Sequence, residues 1–552
     1  MNLWSALELG KTSIMNQQKI FQIVGHNMAN VNTPGYSRQN VQLENIPPAV
    51  IGLDAGGRGM NLIGIHSVRD RFINNQIVDR QQYQGKYSTL SNTLASIEAL
   101  FDESKGLGLS DNLTGFFNDW ASAANQPADI PTRNNLVINA NSLCQNLNNT
   151  TLRLTDQQEI YDASISDMVD SINEIADEIA SLNEKIAFAK GSGQPANDLL
   201  DIRERRLKDI SKLVGVNIYY NSANNSATVD VSGRPLISYN SVNKLSVVRN
   251  TTNHSYNDVY IDQYGGTPIN ITQNIKNGAL EALITMRDVN IPKYKDMLDN
   301  YAFGLAYSVN TAHQAGFALD TTTTDLNFFN MSTGAIGFTG DGGGTTTLNF
   351  AGAIDGVLHQ GDAIAINGQT RIITAPVAVG ATSVTIDTPF VGLAGGESWQ
   401  YFNHENAASN LAIDAVILAD SSMVALSTEV DPGPPPSGSV GNNEVALDIA
   451  ALMDANNVVD TDNDGVFDYG TLPEYLHAAF AEIGNDSANA KYENNANDSM
   501  LLFLNNRRDE ISGVSLDEEA ADLIQYEKTY QAVAQFMGKV NGLLDVLMAL
   551  GR

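Results

Sequence analysis

The chain has 552 residues, too many for one compact hydrophobic core, so several domains are expected. Apolar residues make up 43% of it and charged residues 17%, a composition typical of globular folding. Its formal net charge of −31 excludes ordinary binding to nucleic acid or to anionic membrane surfaces, which leaves proteins or cations as expected partners.

The first residues lack the basic region and continuous apolar run of a signal peptide, because Glu8, Lys11 and Lys19 interrupt them. No stretch of the sequence approaches the roughly 20 apolar residues that span a bilayer. We therefore expect either a cytosolic protein or one exported without a cleaved signal. The single cysteine, Cys144, cannot form an internal disulfide, and the scattered histidines predict no zinc site.

The first predicted helix carries apolar residues at steps of three, four or seven. We call this set the N-terminal seam: Leu3, Leu7, Ile14, Phe21, Val24 and Met28. An average step of 3.5 residues keeps one narrow stripe facing a partner helix, which is the coiled-coil pattern. The helix is expected to end near Asn30, before a turn at Pro34-Gly35, and Tyr36 begins an extended run.

Further helices are predicted before residue 216. Apolar residues at heptad spacing run from Ile165 to Ile186 and stop at a Gly-Ser-Gly sequence, which is typical of a helix end. Asn197 or Asp198 is expected to cap the next helix, which ends at Gly215.

Two β-rich regions follow, separated by a helix. Short strand-like runs with turn residues between them occupy residues 216–272, and a long helix is expected over 278–316. The second region begins near residue 321, and a tight hairpin is predicted where Asn367-Gly368 separates two alternating runs. The Pro- and Gly-rich segment 432–438 cannot lie inside a helix or a sheet.

The last predicted helix carries a stripe like that of the first helix. This C-terminal seam consists of Leu523, Tyr526, Tyr530, Val533, Met537, Val540, Leu544 and Leu547. Because both seams lie at chain ends, where a compact domain usually frays, we expect neighbouring copies to bury them and the terminal helices to be disordered in the free monomer. The alternative is a pair of amphipathic helices buried on a globular domain.

The predicted fold is α+β and multidomain, with a coiled-coil-like helical stalk formed by both termini and two inserted, mainly β domains. Terminal polymerisation helices are assigned to 1–60 and 515–552. The helical stalk takes 61–213, 277–317 and 471–514, the first β-rich domain 214–276, and the outer β-rich domain 318–470.

One acidic segment has the spacing of a calcium loop. Asp460, Asp462, Asp464 and Asp468 alternate around Gly465, as oxygen ligands do in such loops. The twelfth position holds threonine where a bidentate glutamate belongs, so a solvated acidic turn remains the alternative. No catalytic residue and no cofactor other than this calcium is predicted, and the chain is not expected to be an enzyme.

The segment after the first helix carries a known pattern. Its residues Asn27, Ala29, Asn30, Thr33, Gly35 and Tyr36 form Asn-x-Ala-Asn-x-x-Thr-x-Gly-Tyr. This pattern resembles the signature of the bacterial flagellar axial family, which comprises rod, hook and hook-associated proteins. Residues 197–216 (NDLLDIRERRLKDISKLVGV) and 512–519 (SGVSLDEE) are similar to hook-associated members of that family.

The resemblance implies a structural protein at the junction of hook and filament, exported through the flagellar type III apparatus without a cleaved signal. It implies a ring of copies of this chain, contacts with the hook protein and with a second hook-associated junction protein, and an export chaperone on the C-terminal helix. The terminal helices would line the inner tube and the β domains would face outward.

Two other functions remain open. A hook or rod protein would share the pattern after the first helix but is expected to lack the two hook-associated segments. An extracellular adhesin whose acidic β domains contact a host surface is the alternative from another class.

Overall fold

A computed structural model of the chain describes residues 3–45, 59–101, 108–251, 255–263, 265–330, 332–333, 346–350, 354, 358–366, 369–378, 381–391, 399–431, 436–461 and 467–550. Helices dominate both ends of the chain. In chain order they are α1 (Leu3–Ala29), α2 (Arg71–Glu98), α3 (Leu109–Asn125), α4 (Ile130–Gly191), α5 (Asn197–Leu213), α6 (Gly278–Thr285), α7 (Ile291–Gln314), α8 (Ala407–Asn410), α9 (Ala415–Ala419), α10 (Glu444–Ala451), α11 (Leu472–Ser512) and α12 (Leu516–Leu550).

The strands form small antiparallel sheets. In chain order they are β1 (Gln39–Asn45), β2 (Met60–Ser67), β3 (Val216–Tyr220), β4 (Ala227–Val231), β5 (Arg234–Ser238), β6 (Ser241–Val242), β7 (Leu245–Arg249), β8 (Asn257–Ile261), β9 (Ile269–Asn270), β10 (Ser332–Thr333), β11 (Thr347–Asn349), β12 (Ala363–Ile366), β13 (Gln369–Ile372), β14 (Ser383–Thr385) and β15 (Trp399–Phe402). The sheet orders are β1-β2, β3-β4-β5-β6, β7-β8-β9, β10-β15-β12-β13 and β11-β14.

The chain folds into two compact units, each built from separate stretches of sequence. The first unit, which we call the terminal unit, contains residues 1–90, 163–283 and 491–552. The second, which we call the central unit, contains residues 91–162 and 284–490.

The terminal unit holds α1 against α12 and buries one face of α5 through Leu207 and Ile210. Its close packing depends on Gly85 of α2. A Cβ atom at this position would lie 1.9 Å from the carbonyl oxygen of Lys212, at the end of α5. Any side chain there would push the two helices apart.

The central unit has an aromatic core. Trp120 and Phe116 of α3 pack on Phe328, with ring centroids 5.1 and 5.9 Å away. His313 of α7 is fully buried beside them, and burial lowers its pKa to about 4. One ring nitrogen lies 2.7 Å from the Leu326 carbonyl oxygen, and the other accepts the Ala425 backbone N–H. The histidine is therefore neutral and structural.

A second, smaller apolar cluster fills the β-rich part of the central unit. Its members are large aliphatic and aromatic residues from β11 to β15 and the loops between them: Leu348, Phe350, Ile354, Leu358, Ile364, Ile366, Ile373, Val377, Val384, Ile386, Phe390 and Trp399. In β12 all four residues are buried, which is expected of a strand with sheet neighbours on both sides and packing on both faces.

The predicted α+β class is confirmed. The predicted hairpin is confirmed too, since β12 and β13 pair with Ile366 opposite Gln369. Its Asn367-Gly368 turn lies outside the described residues, as do residues 432–435 of the Pro- and Gly-rich segment. Among the described residues, no helix combines the length and the apolar character needed to cross a membrane.

The predicted boundary at residue 60 falls within a hairpin, because Asn45 of β1 pairs with Met60 of β2. One local prediction was wrong. Asn197 does not cap α5 but is its first residue, and its side-chain amide donates instead to the Ile65 carbonyl oxygen at 3.0 Å. The contact-based units divide the chain differently from the predicted domain ranges, which stay a prediction.

Candidate assembly site: the terminal helix pair and its clasp

The two predicted seams meet each other within one chain. Helices α1 and α12 run antiparallel, with the Phe21 and Tyr530 rings in edge-to-face contact at 6.2 Å. Nearer the chain ends, Gly10 leaves room for Met537, whose sulfur would lie 2.0 Å from a Cβ atom at that position. Val24 and Val540 are both buried. The seams therefore form an antiparallel coiled-coil pair.

This pairing corrects the expectation that the seams stay unsatisfied until neighbouring copies cover them. Within one chain both helices are formed, and each covers the seam of the other. Only Leu547 among the seam residues is exposed, at 58%. The buried or partly buried members are Leu3, Leu7, Ile14, Phe21, Val24, Met28, Leu523, Tyr526, Tyr530, Val533, Met537, Val540 and Leu544.

A second apolar surface remains uncovered on the helix pair. We call it the outer face; its members are large apolar side chains between 41% and 69% exposed: Trp4, Met15, Ile524, Phe536, Leu543, Val546, Leu547 and Met548. Apart from Leu547, the sequence analysis missed these residues because it followed one stripe per helix. The spacing of Phe536, Leu543 and Leu547, seven and then four residues, already contained the second stripe.

A buried asparagine of the family pattern ties α1 to α12. The Asn27 amide nitrogen donates to the Gln39 carbonyl oxygen at 2.9 Å and to Glu519 Oε1 at 3.1 Å. Its Oδ1 atom accepts the Gln39 backbone N–H at 2.9 Å and the Tyr36 hydroxyl at 2.8 Å. All four hydrogen bonds available to the amide are made, which fixes the helix end, the extended segment and α12 relative to each other.

The other residues of the pattern shape the turn between Asn27 and Tyr36. Asn30 Nδ2 donates to the His26 carbonyl oxygen, Thr33 Oγ1 donates to Asn30 Oδ1, and the Tyr36 N–H donates to the Thr33 carbonyl oxygen. Ala29 is the exposed last residue of α1.

Two positions of this turn are constrained by their surroundings. Gly35 has a φ of +77°, and a Cβ atom there would lie 3.0 Å from the Arg205 side chain, so glycine is required. Tyr36 also contacts the His26 ring at 2.9 Å. Burial, and then the carboxylates of Asp198, Asp201 and Glu519, raise the pKa of Tyr36, which keeps its hydroxyl protonated as a donor.

Arg38 joins the same segment to the start of α12. Its guanidinium lies 2.8 Å from Glu518, 2.9 Å from Glu519 and 3.5 Å from Asp522. The acidic run at 517–519 was predicted to cap the helix or to meet a basic patch of a neighbour. Ser515 accepts the Glu518 N–H at 3.4 Å as a cap, while the Glu518 and Glu519 carboxylates bind a basic residue of the same chain.

Asp201 of α5 completes the arrangement, which we call the clasp: Asn27, Tyr36, Ser37, Arg38, Gln39, Arg69, Asp201, Glu518, Glu519 and Asp522. Both the N–H and the hydroxyl of Ser37 donate to the Asp201 carboxylate, at 3.1 and 2.8 Å. Arg69 lies 2.8 Å from the same carboxylate. Burial raises the pKa of Asp201, and Arg69 and Ser37 oppose this rise. The clasp therefore brings together the three segments that resemble the flagellar family: the pattern from Asn27 to Tyr36, residues 197–216 and residues 512–519.

The predicted calcium ligands are only partly described. Asp460 is buried and Asp468 accepts the Thr461 hydroxyl at 3.2 Å, whereas Asp462 and Asp464 lie outside the described residues. Glu474, beyond the loop, accepts the Thr471 N–H and so forms a capping box for α11. Within the described part of the chain, no group of three or more His, Cys, Asp or Glu side chains is placed to hold a metal, and calcium binding stays a prediction.

Comparison with known proteins agrees with this architecture. The model of the flagellar hook-associated protein FlgK helical domain matches residues 94–329, and the model of the flagellar basal body rod FlgEFG protein C-terminal region matches residues 506–550. Together they cover about half of the chain. Flagellar hook-associated protein 1 of Escherichia coli (strain K12) is 25% identical over 96% of this chain and 97% of its own length.

More distant relatives agree. Flagellar hook-associated protein 1 of Bacillus subtilis (strain 168) is 23% identical over 98% of this chain and 96% of its own length. The solved structure of the flagellar hook junction protein FlgK from Burkholderia pseudomallei shares the fold, with a TM-score of 0.60 and 16% identity. The match covers 79% of this chain and 100% of the chain in the solved structure.

The helical fold with paired chain ends, together with these matches, defines a flagellar structural protein. Within that class, the chain is similar over nearly its whole length to flagellar hook-associated protein 1 of Escherichia coli and of Bacillus subtilis.

Proposed function

We propose that this chain is a structural component of the bacterial flagellum that joins the hook to the filament by self-assembly through its terminal helix pair. The observation that carries the assembly mechanism is the outer face, an apolar surface on helices that are already formed and paired. So many large exposed apolar side chains on one helix pair favour a protein interaction site. Burying one such side chain contributes roughly 1.5–3 kcal/mol.

The formed pair changes how assembly proceeds. Because α1 and α12 already cover each other's seams, the conformational entropy of helix formation is offset before copies meet. Assembly is then the docking of a helical hairpin by its outer face, and the clasp holds that hairpin against the terminal unit.

The proposed partners are assigned from the same outer face. Copies of this chain form a ring on the hook, with the hook protein on one side and a second hook-associated junction protein on the other. The protein acts outside the cell after export without a cleaved signal. Before export, a chaperone covers the outer face of α12, whose exposed Leu543, Val546 and Leu547 would otherwise associate early.

Substitutions on the outer face provide the test. The double variant Leu543→Asp with Val546→Asp is expected to stay folded, because both residues are exposed. We expect it not to polymerise. Deletion cells that carry only this variant should form hooks without filaments. Electron microscopy of complemented deletion cells and release of flagellin to the medium are the readouts.

The matched control is Gln535→Asp with Lys539→Asp, which places two aspartates at exposed polar positions of the same helix. Normal filaments from the outer-face variant would overturn the mechanism. Deletion of residues after Leu523, by contrast, would uncover the α1 seam and so confuse loss of assembly with loss of solubility.

A further inference from the structure

A polar cavity of about 290 Å³ lies in the terminal unit, and none of its lining residues belongs to the outer face. Residues from β2, α2, α5 and β3 line it. Those that matter for its chemistry are Ser67, Arg69, Arg71, Asn197, Arg203 and Tyr220, with Glu204 as the acidic member. It is a concentration of guanidinium groups in a chain of net charge −31.

Arg203 is the unusual member of this cavity. It is only 2% exposed, and its guanidinium donates to Asn183 Oδ1 at 3.0 Å and to the Asn225 carbonyl oxygen, both of them uncharged groups. Its Nε atom is buried without a hydrogen-bond partner in the structure. No carboxylate of the described residues lies within ion-pair distance of Arg203. A buried charge in this state requires a counter-charge.

Arg71 adds a second guanidinium without an ion-pair partner among the described side chains. It is exposed, and it lies 5.6 Å from the centroid of the Tyr220 ring, as does Arg203. Tyr220 thus has two cationic neighbours, and its hydroxyl donates to the two oxygens of Glu204 at 3.1 and 3.2 Å.

The charges of the cavity do not cancel. Arg69 is paired at 2.8 Å with Asp201, which does not line the cavity, so its charge is matched. Arg71 and Arg203 then face the single carboxylate of Glu204, which already accepts from Tyr220. The cavity therefore carries a surplus of positive charge, with Ser67 and Asn197 as neutral polar groups in its wall.

We propose that this cavity is a binding site for an oxyanion, a carboxylate or phosphate group held by Arg71 and Arg203. The planar fork of a guanidinium matches both groups, and 290 Å³ accommodates one small anion but not a helix. The oxyanion is either a free ion or a carboxylate of a second copy, and the second source rests on the proposed self-assembly.

The first test asks whether the cavity binds a free ion. The purified full-length monomer is titrated calorimetrically with inorganic phosphate and with citrate, at constant ionic strength. We expect one binding event per chain, weakened about tenfold or more in Arg71→Gln, since a charge-assisted contact is lost. The control is Arg206→Gln, which removes the same charge from α5 at a half-exposed residue that is paired with Glu178 outside the cavity.

The variant Arg203→Lys keeps the charge but loses the fork and is expected to weaken binding similarly. If it fails to fold, the exposed Arg71 still decides the result, because its substitution disturbs no hydrogen bond of the described structure. Equal affinities in Arg71→Gln and Arg206→Gln would show general charge attraction and overturn the free-ion site.

Polymerisation of the same variants tests whether the bound oxyanion is a carboxylate of a second copy. If the monomer binds neither anion, the proposal requires that Arg71→Gln slow polymerisation at least severalfold while Arg206→Gln does not. Equal polymerisation rates of these two variants overturn the proposal. If the wild type itself does not polymerise, the proposed function fails instead, and the titration alone decides the oxyanion site.

Discussion

At the scale of single residues, the clasp depends most on Asn27, whose side chain makes four hydrogen bonds while only 1% exposed. The aspartate variant Asn27→Asp would lose both donors and place a negative charge beside Glu519. Since a buried group left without its partner costs about 1–3 kcal/mol, we expect destabilisation of about 2–4 kcal/mol.

Urea denaturation followed by circular dichroism measures this loss. Asn32→Asp is the matched control, because Asn32 belongs to the same turn but is exposed and should tolerate the change within about 0.5 kcal/mol. Equal stability of the two variants would mean that the clasp does not hold the helix pair.

A second residue-scale prediction concerns Asp362 in the central unit. Burial raises its pKa to about 6, helped by Glu405 and opposed by His359 and by the backbone N–H groups of His359 and His404. The folded state therefore holds a proton that the unfolded state releases between about pH 4 and pH 6. The contribution of Asp362 to stability is highest below pH 4 and falls as pH rises through 6.

Unfolding free energies measured from pH 4 to pH 7 test whether the stability contribution of Asp362 falls as pH rises. Relative to Asp362→Asn, the wild type should lose up to about 3 kcal/mol over that range, because the charged form is disfavoured inside the fold. A wild type that gains stability relative to the variant as pH rises would contradict the burial argument.

At the scale of elements, the helix pair depends on the close approach at Gly10. A Cβ atom there would overlap Met537, so Gly10→Val must push the side chain or the helices apart. We expect a loss of about 1–3 kcal/mol, typical of overpacking, and weaker polymerisation.

Gly25 of the same helix provides the control, since a Cβ atom there meets nothing within 4 Å. Gly25→Val should be neutral or slightly stabilising because valine has the higher helix propensity. Thermal melts of both variants separate the effect of packing against Met537 from the effect of helix propensity. Equal melting temperatures would argue against a close approach of the two helices at Gly10.

At the scale of the whole molecule, charge opposes assembly. Copies of net charge −31 repel each other, and the repulsion is screened over about 10 Å at 0.1 M salt. We expect purified protein to polymerise faster as sodium chloride is raised from about 0.05 M to about 0.5 M, measured by light scattering. Slower polymerisation at high salt would show that attractive charge contacts between copies, rather than apolar burial, dominate.

Much of the architecture was predictable from local pattern. Helix α5 and the β12–β13 hairpin follow from apolar periodicity and turn chemistry, which act over a few residues. The family pattern around Asn27 was equally visible. The contacts of Asn27 with Glu519 and of Ser37 with Asp201 were not, because these residues lie 492 and 164 positions apart in sequence and nothing local specifies such contacts.

The sequence by itself determined the helical ends, the β-rich middle and the resemblance to flagellar axial proteins, since each depends on short-range spacing or on fixed motifs. Only the tertiary structure decided what the seams face. Two stripes that predict coiled-coil pairing do not state whether the partner is the same chain or another copy. The structure pairs α1 with α12 and thereby moves the expected contact with neighbours to the outer face.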